Sequence, residues 1–576
     1  MPNPEIDFSA EFGPLTSSLS SRWDSDRPAF TFVDYGEHRD GVETTLSWAE
    51  LDRRARAVAA RLAQITGPGE RVAVLCPQNL DYVVGFFGAL YAGVIAVPLF
   101  APEVSSHGER LVGALADCDP EVWLTSESAM ADIRGLMNNH PVPRPKHLVA
   151  VDTVDSELAA DYRPVPVSPE QPAYLQYTSG STRTPAGAVI THRALAVNVR
   201  QVVEGFGIDQ DSTCVGWLPF FHDMRLVQLV CLPVYAGCHS VFTTPFAFTR
   251  RPVRWLRMLG AHPDVITAAP NFAYEYAAAK LSKEDSGAPI DLSGVRVAIN
   301  GSEPVRAETI AGFLAATGPL GFRADAHRPS YGLAEATVFV STTPPRPPRV
   351  VTLDRAELSA GRAIEVATGD DRALTLVSAG VPVGQQLRIV DGDRGVAMAD
   401  GDVGEIWLHG ANVADGYWRQ PERSAETFGG RLGGGSPEGG WLRTGDLGVR
   451  HDGELFITGR LKDLIIIDGK NHYPQDIEAT VQESHPALRR DRLAVFSVTR
   501  EGREAPVVVA EYSSHVDAAD REPSEVERAV RVVVSRHHDL RLADFVLARP
   551  GTVLRTSSGK IARAATRALY LSGELS

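Results

Sequence analysis

Lysine is scarce in this sequence, although basic residues are not. Only six of the 57 basic residues are lysine, and they are Lys146, Lys280, Lys283, Lys462, Lys470 and Lys560. Lysine carries a compact charge on a flexible stem, whereas the guanidinium of arginine is planar and bulkier. Arginine is used almost everywhere that any cation would be sufficient. Three of the six lysines lie near the C-terminal end, and they indicate sites where a guanidinium is unsuitable: Lys462, Lys470 and Lys560.

Net positive charge is also lacking. Acidic residues number 72, and the formal net charge is -15. The phosphates of nucleic acids and the surfaces of anionic membranes repel a chain of this charge. We therefore expect no nucleic-acid partner, and an anionic substrate must be bound by local cations.

Cysteine is sparse and scattered. The five cysteines form no CxxC pair and are too few for a disulfide framework in a chain of 576 residues. The N-terminal residues, MPNPEIDFSAEF, include acidic side chains where a signal peptide needs a basic start and an apolar run. Both observations predict a cytoplasmic protein.

A long uninterrupted apolar run is missing as well. Residues 82–102 are uncharged over about twenty positions, which is the length of a membrane-spanning helix. Three glycines and Pro98 interrupt this stretch. The pattern predicts a buried helix at residues 81–91 and a buried strand at residues 94–97, and no transmembrane segment.

The chain is too long for one hydrophobic core, so two or more domains are expected. Ser47 and Glu50 have the spacing of a capping box, and helix-like and strand-like segments alternate after them. This alternation predicts an α/β fold with a largely parallel sheet. The pattern changes at residues 459–463. We therefore place a large N-terminal domain at residues 1–458 and a small, mobile domain at residues 459–576.

The small domain contains one helix with a clear pattern. Ser524 and Glu527 have the spacing of a capping box and are predicted to begin that helix. Val526, Val530 and Val533 are expected on its apolar face. The cap and the face together predict an amphipathic helix.

A short turn after an apolar segment concentrates hydroxyl groups. It consists of Thr178, Ser179, Gly180, Ser181, Thr182 and Arg183. Backbone N–H groups and small hydroxyl side chains can surround phosphate oxygens, and Gly180 lets the backbone approach them closely. The Gly-Lys-Ser or Gly-Lys-Thr sequence that completes a Walker A loop does not follow. Taken alone, the turn is also typical of an ordinary loop.

Seven motifs follow one another along the chain. They are YTSGSTRTPAG (177–187), WLPFFHDM (217–224), NGSEP (300–304), PSYGLAEAT (329–337), WLRTGDLG (441–448), ITGRLKDLI (457–465) and RTSSGK (555–560). In sequence and in order they resemble the motifs of the adenylate-forming superfamily of acyl- and aryl-acid ligases. The resemblance covers nearly the whole chain.

Within that superfamily the chain is most similar to the fatty acyl-AMP ligases. Arg183 and Ala186 stand where acyl-CoA ligases usually have Gly and Lys, and the acyl-AMP ligases commonly show STRTPAG there. The segment at about residues 340–377 resembles the insertion that distinguishes this group from the CoA ligases.

This resemblance implies a fold, an activity and partners. The fold would be α/β, with a large adenylate-forming domain of parallel-rich sheets and a β-subdomain, and a small α+β lid. With Mg²⁺, a fatty acid and ATP would give acyl-adenylate and pyrophosphate. The acyl group would then pass to an acyl carrier protein or to a carrier domain of a polyketide synthase. Two alternatives remain open: a fatty acyl-CoA ligase, and a non-catalytic adenylate-binding protein, which would be expected to lack Lys560 or Glu335.

The same resemblance assigns a nucleotide site. The turn at residues 178–183 would hold the β- and γ-phosphates, and Glu335 would bind Mg²⁺, since a hard dication prefers carboxylate oxygen. Asp446 would accept the ribose hydroxyls, with Arg460 as a second ribose or phosphate contact. The adenine and α-phosphate side would be lined by Ser302, Glu303, Pro304, Ser330, Tyr331, Gly332 and Ala334. Alternatively, Glu335 caps or pairs on a helix, and a surface salt bridge accounts for Asp446 or Arg460.

Lys560 is the predicted catalytic residue. A fatty carboxylate and the α-phosphate repel each other, and an ammonium between them would stabilise the charge that develops as they react. His222 would orient the carboxylate or gate the acyl tunnel, although a histidine beside Asp223 is also typical of a structural hydrogen-bonded pair. Lys462 is the predicted hinge about which the small domain rotates between the half-reactions.

One position departs from the pattern of the related ligases. They usually have glycine after His-Asp-Met, whereas this chain has Arg225 after Met224. Both residues are predicted to border the acyl pocket. We expect the guanidinium to point outward and pair with an acidic neighbour. The alternative is that it narrows the tunnel or presents a cation to a polar group of the substrate, which requires a paired carboxylate or a wet tunnel.

Overall fold

The structure is a computed structural model. It describes residues 13–102, 108–177, 185–281, 289–367, 369–370, 372–437, 439–467, 470–500, 503–517, 521–556 and 560–575. The α-helices are α1 (Leu15–Ser20), α2 (Trp48–Ala63), α3 (Leu80–Tyr91), α4 (Gly108–Cys118), α5 (Met130–Asn139), α6 (His192–Phe206), α7 (Asp223–Arg225), α8 (Leu232–Ala236), α9 (Pro245–Arg250), α10 (Val253–Leu259), α11 (Asn271–Leu281), α12 (Ala307–Thr317), α13 (Arg355–Ser359), α14 (Pro421–Phe428), α15 (Pro474–Gln482), α16 (Pro523–His538) and α17 (Arg563–Ser572).

The strands of the first three hundred or so residues belong to two parallel-rich sheets, and those after them are mostly antiparallel. They are β1 (Pro28–Asp34), β2 (Val42–Ser47), β3 (Arg71–Val74), β4 (Ile95–Pro98), β5 (Val122–Thr125), β6 (His147–Ala150), β7 (Pro172–Tyr177), β8 (Gly187–Thr191), β9 (Thr213–Gly216), β10 (His239–Phe242), β11 (Val265–Pro270), β12 (Val295–Gly301), β13 (His327–Gly332), β14 (Phe339–Thr342), β15 (Val350–Asp354), β16 (Ala373–Val377), β17 (Val381–Pro382), β18 (Gln386–Asp391), β19 (Val396–Ala397), β20 (Val403–His409), β21 (Leu442–His451), β22 (Glu454–Arg460), β23 (Ile465–Ile467), β24 (Lys470–His472), β25 (Leu488–Arg500), β26 (Arg503–Tyr512) and β27 (Asp544–Ala548).

Two large sheets form the framework of the first part of the chain. One has the strand order β6-β5-β3-β4-β7-β8, and the other has the order β17-β14-β13-β12-β11-β9-β10-β1-β2. The strands at the centre of each sheet pair in parallel. Their short apolar runs are buried throughout, as expected when both faces of a parallel sheet are covered. The predicted α/β class is confirmed.

The uncharged stretch after residue 80 is a core element. Helix α3 begins after Asn79, whose Oδ1 accepts a hydrogen bond from the Asp81 N–H, and every side chain from Leu80 to Tyr91 except that of Asp81 is buried. Strand β4 follows one residue later than predicted. No helix in the described part of the chain combines the length and the apolar character that a membrane crossing requires.

The two predicted capping boxes have different outcomes. The Ser47 hydroxyl accepts from the Glu50 N–H, and α2 begins at Trp48 as expected. Helix α16 begins at Pro523, so Ser524 lies inside its first turn and the predicted cap is wrong. The proline accounts for the earlier start, because its fixed φ suits the first helical position. Further along α16, Val534 is fully buried and Val533 only partly.

Antiparallel strands follow the large sheets. A five-stranded sheet has the order β19-β18-β20-β21-β22, and β15 pairs with β16 in a separate hairpin. The C-terminal part, which we define as the described residues from 465 to 575, contains β25, β26 and β27 in one small sheet with α15, α16 and α17. Its apolar core, which includes Ile477, Val508 and Val530, is made of its own residues.

The predicted insertion contacts the C-terminal part. Val351, Leu353 and Leu358 are buried in one cluster with Tyr473, which immediately precedes α15. Beside this cluster, Arg355 donates through Nε and Nη2 to the two carboxylate oxygens of Asp476, at 2.7 and 3.0 Å. The apolar positions of this segment are not all covered, because Val350 and Ile364 are 44 % and 48 % exposed.

The Arg355–Asp476 ion pair generates a prediction. Both side chains are largely buried, so Arg355→Ala would leave an uncompensated carboxylate at a cost of about 3–5 kcal/mol. We expect faster amide hydrogen exchange in α13 and α15. Arg362→Ala is the matched control, because Arg362 pairs with Glu357 on the same segment but is mostly exposed. Equal exchange in the two variants would contradict the prediction.

Candidate active site

A cavity of about 530 Å³ lies between the large sheets, the five-stranded sheet and the C-terminal part. Most of the predicted site residues line it. They are His222, Met224, Ser302, Ser330, Tyr331, Gly332, Ala334, Glu335, Asp446, Arg460, Lys462 and Lys560. Two predicted site residues that are 338 positions apart in the sequence, His222 and Lys560, therefore meet at one cavity. The predicted phosphate turn, Thr178, Ser179, Gly180, Ser181, Thr182 and Arg183, lies outside the described residues.

The NGSEP motif contributes Gly301 and Ser302 to the described lining. Ser302 follows the end of β12 with a φ of 67°, and its hydroxyl lies 3.5 Å from the sulfur of Met224. Glu303 is turned away, and its carboxylate accepts a hydrogen bond of 2.7 Å from the N–H of Phe272 at the start of α11. Glu303 and Pro304 are absent from the described cavity wall. The lining predicted for these two residues stays a prediction.

Strand β13 forms one wall of the cavity, and its end depends on Gly332. A Cβ at this position would stand 1.7 Å from the carbonyl oxygen of Val338. Only glycine permits the close approach between β13 and the chain that leads into β14. The strand places the side chain of Tyr331 in the cavity, and its hydroxyl donates to Oδ2 of Asp446 at 2.7 Å.

Asp446 is held from two sides. Besides the Tyr331 contact, its Oδ1 accepts from Nε of Arg460 at 2.9 Å. The carboxylate is nearly buried, and its charge holds the pKa of the Arg460 guanidinium above its usual value despite burial. Each carboxylate oxygen can accept more than one hydrogen bond, so the group can still receive hydroxyl donors from the cavity.

Glu335 lies in a short turn after β13. Its Oε1 accepts a 2.7 Å hydrogen bond from the hydroxyl of Tyr417, and its backbone carbonyl accepts from the N–H of Ala414. Burial raises the pKa of Tyr417, and the neighbouring Glu335 carboxylate raises it further. Mg²⁺ is usually bound by one or two carboxylates together with phosphate oxygens and waters. A carboxylate in the cavity wall could therefore bind Mg²⁺ together with the phosphates of a nucleotide.

Lys560 reaches the cavity from the C-terminal part. Burial lowers the pKa of its ammonium, and the charge of Arg460 lowers it further, while Asp223, Glu303 and Asp446 act in the opposite direction. Its backbone is held by Thr556, whose hydroxyl accepts from the Lys560 N–H at 3.2 Å.

His222 immediately precedes α7 and belongs to the same lining. Its ring packs on Phe221 with a centroid separation of 5.0 Å. The next residue, Asp223, is a carboxylate whose pKa is raised by burial and partly lowered again by Lys560. The histidine and the lysine thus border one space.

The predicted hinge residue, Lys462, lies in a short turn from Leu461 to Asp463. The carboxylate of Asp463 accepts from Arg563 of α17 at 2.8 Å, and Arg563 also contacts Glu478 of α15. This network joins the turn to the C-terminal part.

The position of the Arg225 side chain differs from the predicted one. The side chain is 0 % exposed, and Nη1 donates to Oε1 of Gln228 at 2.9 Å. The predicted outward position with an acidic partner is therefore wrong, and Arg225 does not contribute to the described cavity wall, although Met224 does. The reason lies in a distant strand. A Cβ on Gly216 of β9 would stand 2.1 Å from Nη1, so the absence of that atom makes room for the guanidinium.

Comparison with known proteins identifies the family. The family described as AMP-binding enzyme matches residues 20–418, and the AMP domain of the Disco-interacting protein 2-like type matches residues 462–576. The chain is 44 % identical to the long-chain-fatty-acid–AMP ligase FadD32 of Mycolicibacterium smegmatis, over 96 % of this chain and 92 % of the relative. It is 43 % identical to the long-chain-fatty-acid–AMP ligase FadD28 of Mycobacterium tuberculosis, over 93 % of this chain and 94 % of the relative.

A solved structure shares the fold. It is the fatty acyl-adenylate ligase of L. pneumophila in complex with acyl adenylate and pyrophosphate, which has a TM-score of 0.75 and 32 % identity. The match covers 98 % of this chain and 97 % of that chain. The chain belongs to the fatty acyl-AMP ligase group of AMP-binding enzymes. The family and the class of enzyme predicted from the ordered motifs are therefore confirmed.

Some residues of this fatty acyl-AMP ligase site carried no signal in the sequence. Tyr417 contacts Glu335 from a position 82 residues away, and it belongs to none of the seven motifs. Gln228 lines the cavity four residues after a motif ends. A single sequence cannot indicate such contacts, because they depend on which loops pack against the motifs.

The contact at Gly332 generates a prediction. Gly332→Ala should force β13 and β14 apart and lower the free energy of unfolding by about 1–3 kcal/mol. Gly312→Ala is the control, because a Cβ there meets nothing within 4 Å and helix α12 favours alanine. Denaturant unfolding of both variants measures the difference. A Gly332→Ala protein as stable as the control would refute the close-packing argument.

Proposed function

We propose that this chain activates a fatty acid with ATP, giving an acyl-adenylate and pyrophosphate, and passes the acyl group to a carrier protein. The observation that carries the proposal is that Lys560 of the C-terminal part borders the same cavity as Glu335, Asp446 and Arg460. An ammonium and a guanidinium there face a space that is lined by both apolar and polar side chains.

The nucleotide would occupy the polar side. Asp446, held in place by Tyr331 and Arg460, would accept the ribose hydroxyls. The adenine and the α-phosphate would lie against Ser302 and the end of β13. The turn at residues 178–183 is proposed to hold the β- and γ-phosphates. Glu335 would bind Mg²⁺, which supplies charge neutralisation to the phosphate oxygens when bound.

The fatty chain would occupy the apolar side. The side chains there come from α6, the helical segment after α7, and strands β11, β12 and β14. They are Val202, Phe206, Val227, Ala268, Ile299 and Phe339, with Val338 before β14. Burial of methylene groups against such side chains contributes about 0.8 kcal/mol each, so this wall favours a hydrocarbon chain.

The reaction would take place where the two sides meet. The fatty carboxylate would attack the α-phosphate, the bond from that phosphorus to the bridging oxygen would break, and pyrophosphate would leave. Lys560 would hold both anions together and stabilise the additional negative charge on the phosphoryl oxygens in the transition state. His222, which lines the same cavity, is proposed to orient the carboxylate.

The second half-reaction would need a movement of the C-terminal part. We place the domain boundary between residues 458 and 459, and the hinge at Lys462. The self-contained core that begins at Ile465 supports this division. The acceptor would be a phosphopantetheine arm on an acyl carrier protein or on a carrier domain of a polyketide synthase. The predicted cytoplasmic location remains a prediction.

Two alternatives can be tested together with the proposal. A fatty acyl-CoA ligase would form a thioester with free CoA, and a non-catalytic adenylate-binding protein would form no adenylate. Hydroxamate trapping over a series of fatty acids, with free CoA and with candidate carriers, separates the three. Trapped adenylate that transfers to a carrier but not to CoA supports the proposal.

Lys560 gives the first prediction from this mechanism. Lys560→Ala should lower the rate of adenylation by about 10²–10³-fold, which is the usual loss for one preorganised donor. Folding and ATP binding should change little, since few described contacts use this side chain. Pyrophosphate release at the wild-type rate would exclude the assigned role.

The pH profile provides an independent measurement on the same residue. The lowered pKa of Lys560 means that the ammonium loses its proton at a lower pH than an ordinary lysine, so adenylation should fall on the alkaline side. Lys560→Arg should move this fall to higher pH while lowering the maximal rate, because a guanidinium stays protonated.

The insertion gives a second prediction. Contacts of residues 350–367 with the C-terminal part should hold the adenylating arrangement and make free CoA a poor acceptor. Replacing this segment with a short Gly-Ser linker should increase the formation of acyl-CoA from preformed acyl-adenylate. Arg355→Ala should have a smaller effect in the same direction. Unchanged CoA turnover in a folded deletion variant would falsify the restraint.

A further inference from the structure

A buried cation lies behind the acyl wall of the cavity. Arg225 is 0 % exposed and Gln228 is 4 % exposed, and their only described hydrogen bond to each other joins Nη1 to Oε1. Among the residues that the structure describes, Nε and Nη2 of Arg225 and Nε2 of Gln228 have no hydrogen-bond partner. Three buried donor groups on two contacting side chains therefore lack an acceptor among the described residues.

The arrangement of these donors is specific. Nε and Nη2 form one edge of the guanidinium, and this edge can donate two parallel hydrogen bonds to the two oxygens of a carboxylate. Nη1, at the other edge, is already used by Gln228. The titratable groups that influence Arg225 from neighbouring elements are Tyr274 and Cys214, and neither is a carboxylate.

The guanidinium is connected to the cavity through Gln228. This glutamine lines the cavity, as do its neighbour Val227 and, from strand β11, Ala268. On the other side, the guanidinium lies against Gly216 of β9. Strands β9 and β11 are hydrogen-bonded neighbours, so Gly216 and Ala268 follow paired residues. Gln228 therefore contacts both the guanidinium and the acyl space.

Burial of an unpaired charge is unfavourable, and proteins avoid it unless a partner is supplied. Burial lowers the pKa of Arg225 to about 9, which leaves the side chain cationic at neutral pH. Neither the apolar wall nor the hydrocarbon end of a plain fatty acid has a group that could pair with this guanidinium. A substrate with an anionic group at its far end could pair with it.

We propose that Arg225 and Gln228 form a subsite for a second carboxylate, so that the preferred acid is an α,ω-dicarboxylic acid rather than a plain fatty acid. The inference rests on the proposed adenylation reaction. One carboxylate reacts near Lys560, and the other is bound by Nε and Nη2 of Arg225 with Nε2 of Gln228. The Gln228 side chain turns aside to admit it.

The test compares acids that differ only in their far end. Adenylation is measured as kcat/KM, by pyrophosphate release, for monocarboxylic, ω-hydroxy and α,ω-dicarboxylic acids of matched and graded length. A site that hydrogen-bonds a polar group discriminates strongly against analogues that lack it, so the wild type should prefer the dicarboxylic acid by about tenfold or more at the best length. Arg225→Met should remove or reverse this preference.

Arg328→Met is the matched control. Arg328 is also a buried arginine with a lowered pKa, but it contacts the carbonyl of Gly205 and is not part of the described cavity wall. This variant should be less stable and keep the wild-type order of acids. If Arg225→Met does not fold, the order of acids for the wild type alone decides the question.

A binding measurement tests the subsite independently of the proposed adenylation reaction. Equilibrium binding of the acids to wild-type protein, without ATP, is measured by thermal shift. A dicarboxylic preference in binding without pyrophosphate release would support the subsite and reject the proposed function. A wild type that prefers monocarboxylic acids, or an Arg225→Met variant with an unchanged order, would overturn the subsite and leave Arg225 as a structural residue.

Discussion

Ion pairs across the junction of the C-terminal part determine where Lys560 lies. Besides the pair formed by the insertion, Arg306 donates to Oδ1 of Asp491 at 2.6 Å. The backbone carbonyl of Asp491 accepts from Arg555, five residues before Lys560. Asp491 therefore links the segment that carries Lys560 to Arg306, which immediately precedes α12. Because the backbone of Lys560 is held within its own loop, the position of its ammonium depends on these contacts at a distance.

The charges at the cavity are consistent with the composition of the chain. A protein with a net charge of -15 that binds two anionic substrates has to concentrate cations locally. The cavity lining gathers Arg423, Arg443, Arg460, Lys462 and Lys560. Arg460 and Lys560 repel each other, and the nearby carboxylates offset this repulsion in the free protein. Because lysine is scarce in the rest of the chain, the presence of two lysines at the cavity indicates that a guanidinium is unsuitable at these two positions.

The fold class and part of the lining were predictable, because several motifs lie where parallel strands end. Gly301 ends β12 and Gly332 ends β13, and the ends of neighbouring parallel strands meet at one edge of a sheet. The side-chain positions that were not predicted have a different cause. Glu303 turns away to bind the start of α11, and the position of Arg225 depends on the missing Cβ of Gly216. Neither contact has a local signature, so only the packed structure could reveal them.

The relation between Gly216 and Arg225 also has a consequence for substrate choice. A large charged side chain at residue 225 is compatible with the fold only because the facing strand lacks a side chain there. In the free protein the guanidinium makes one hydrogen bond to Gln228, and its open edge stays unsatisfied among the described residues. A substrate that supplies two acceptor oxygens would recover this unfavourable term on binding. Since Arg225 and Lys560 occupy fixed positions, a chain that reaches both is also selected for its length.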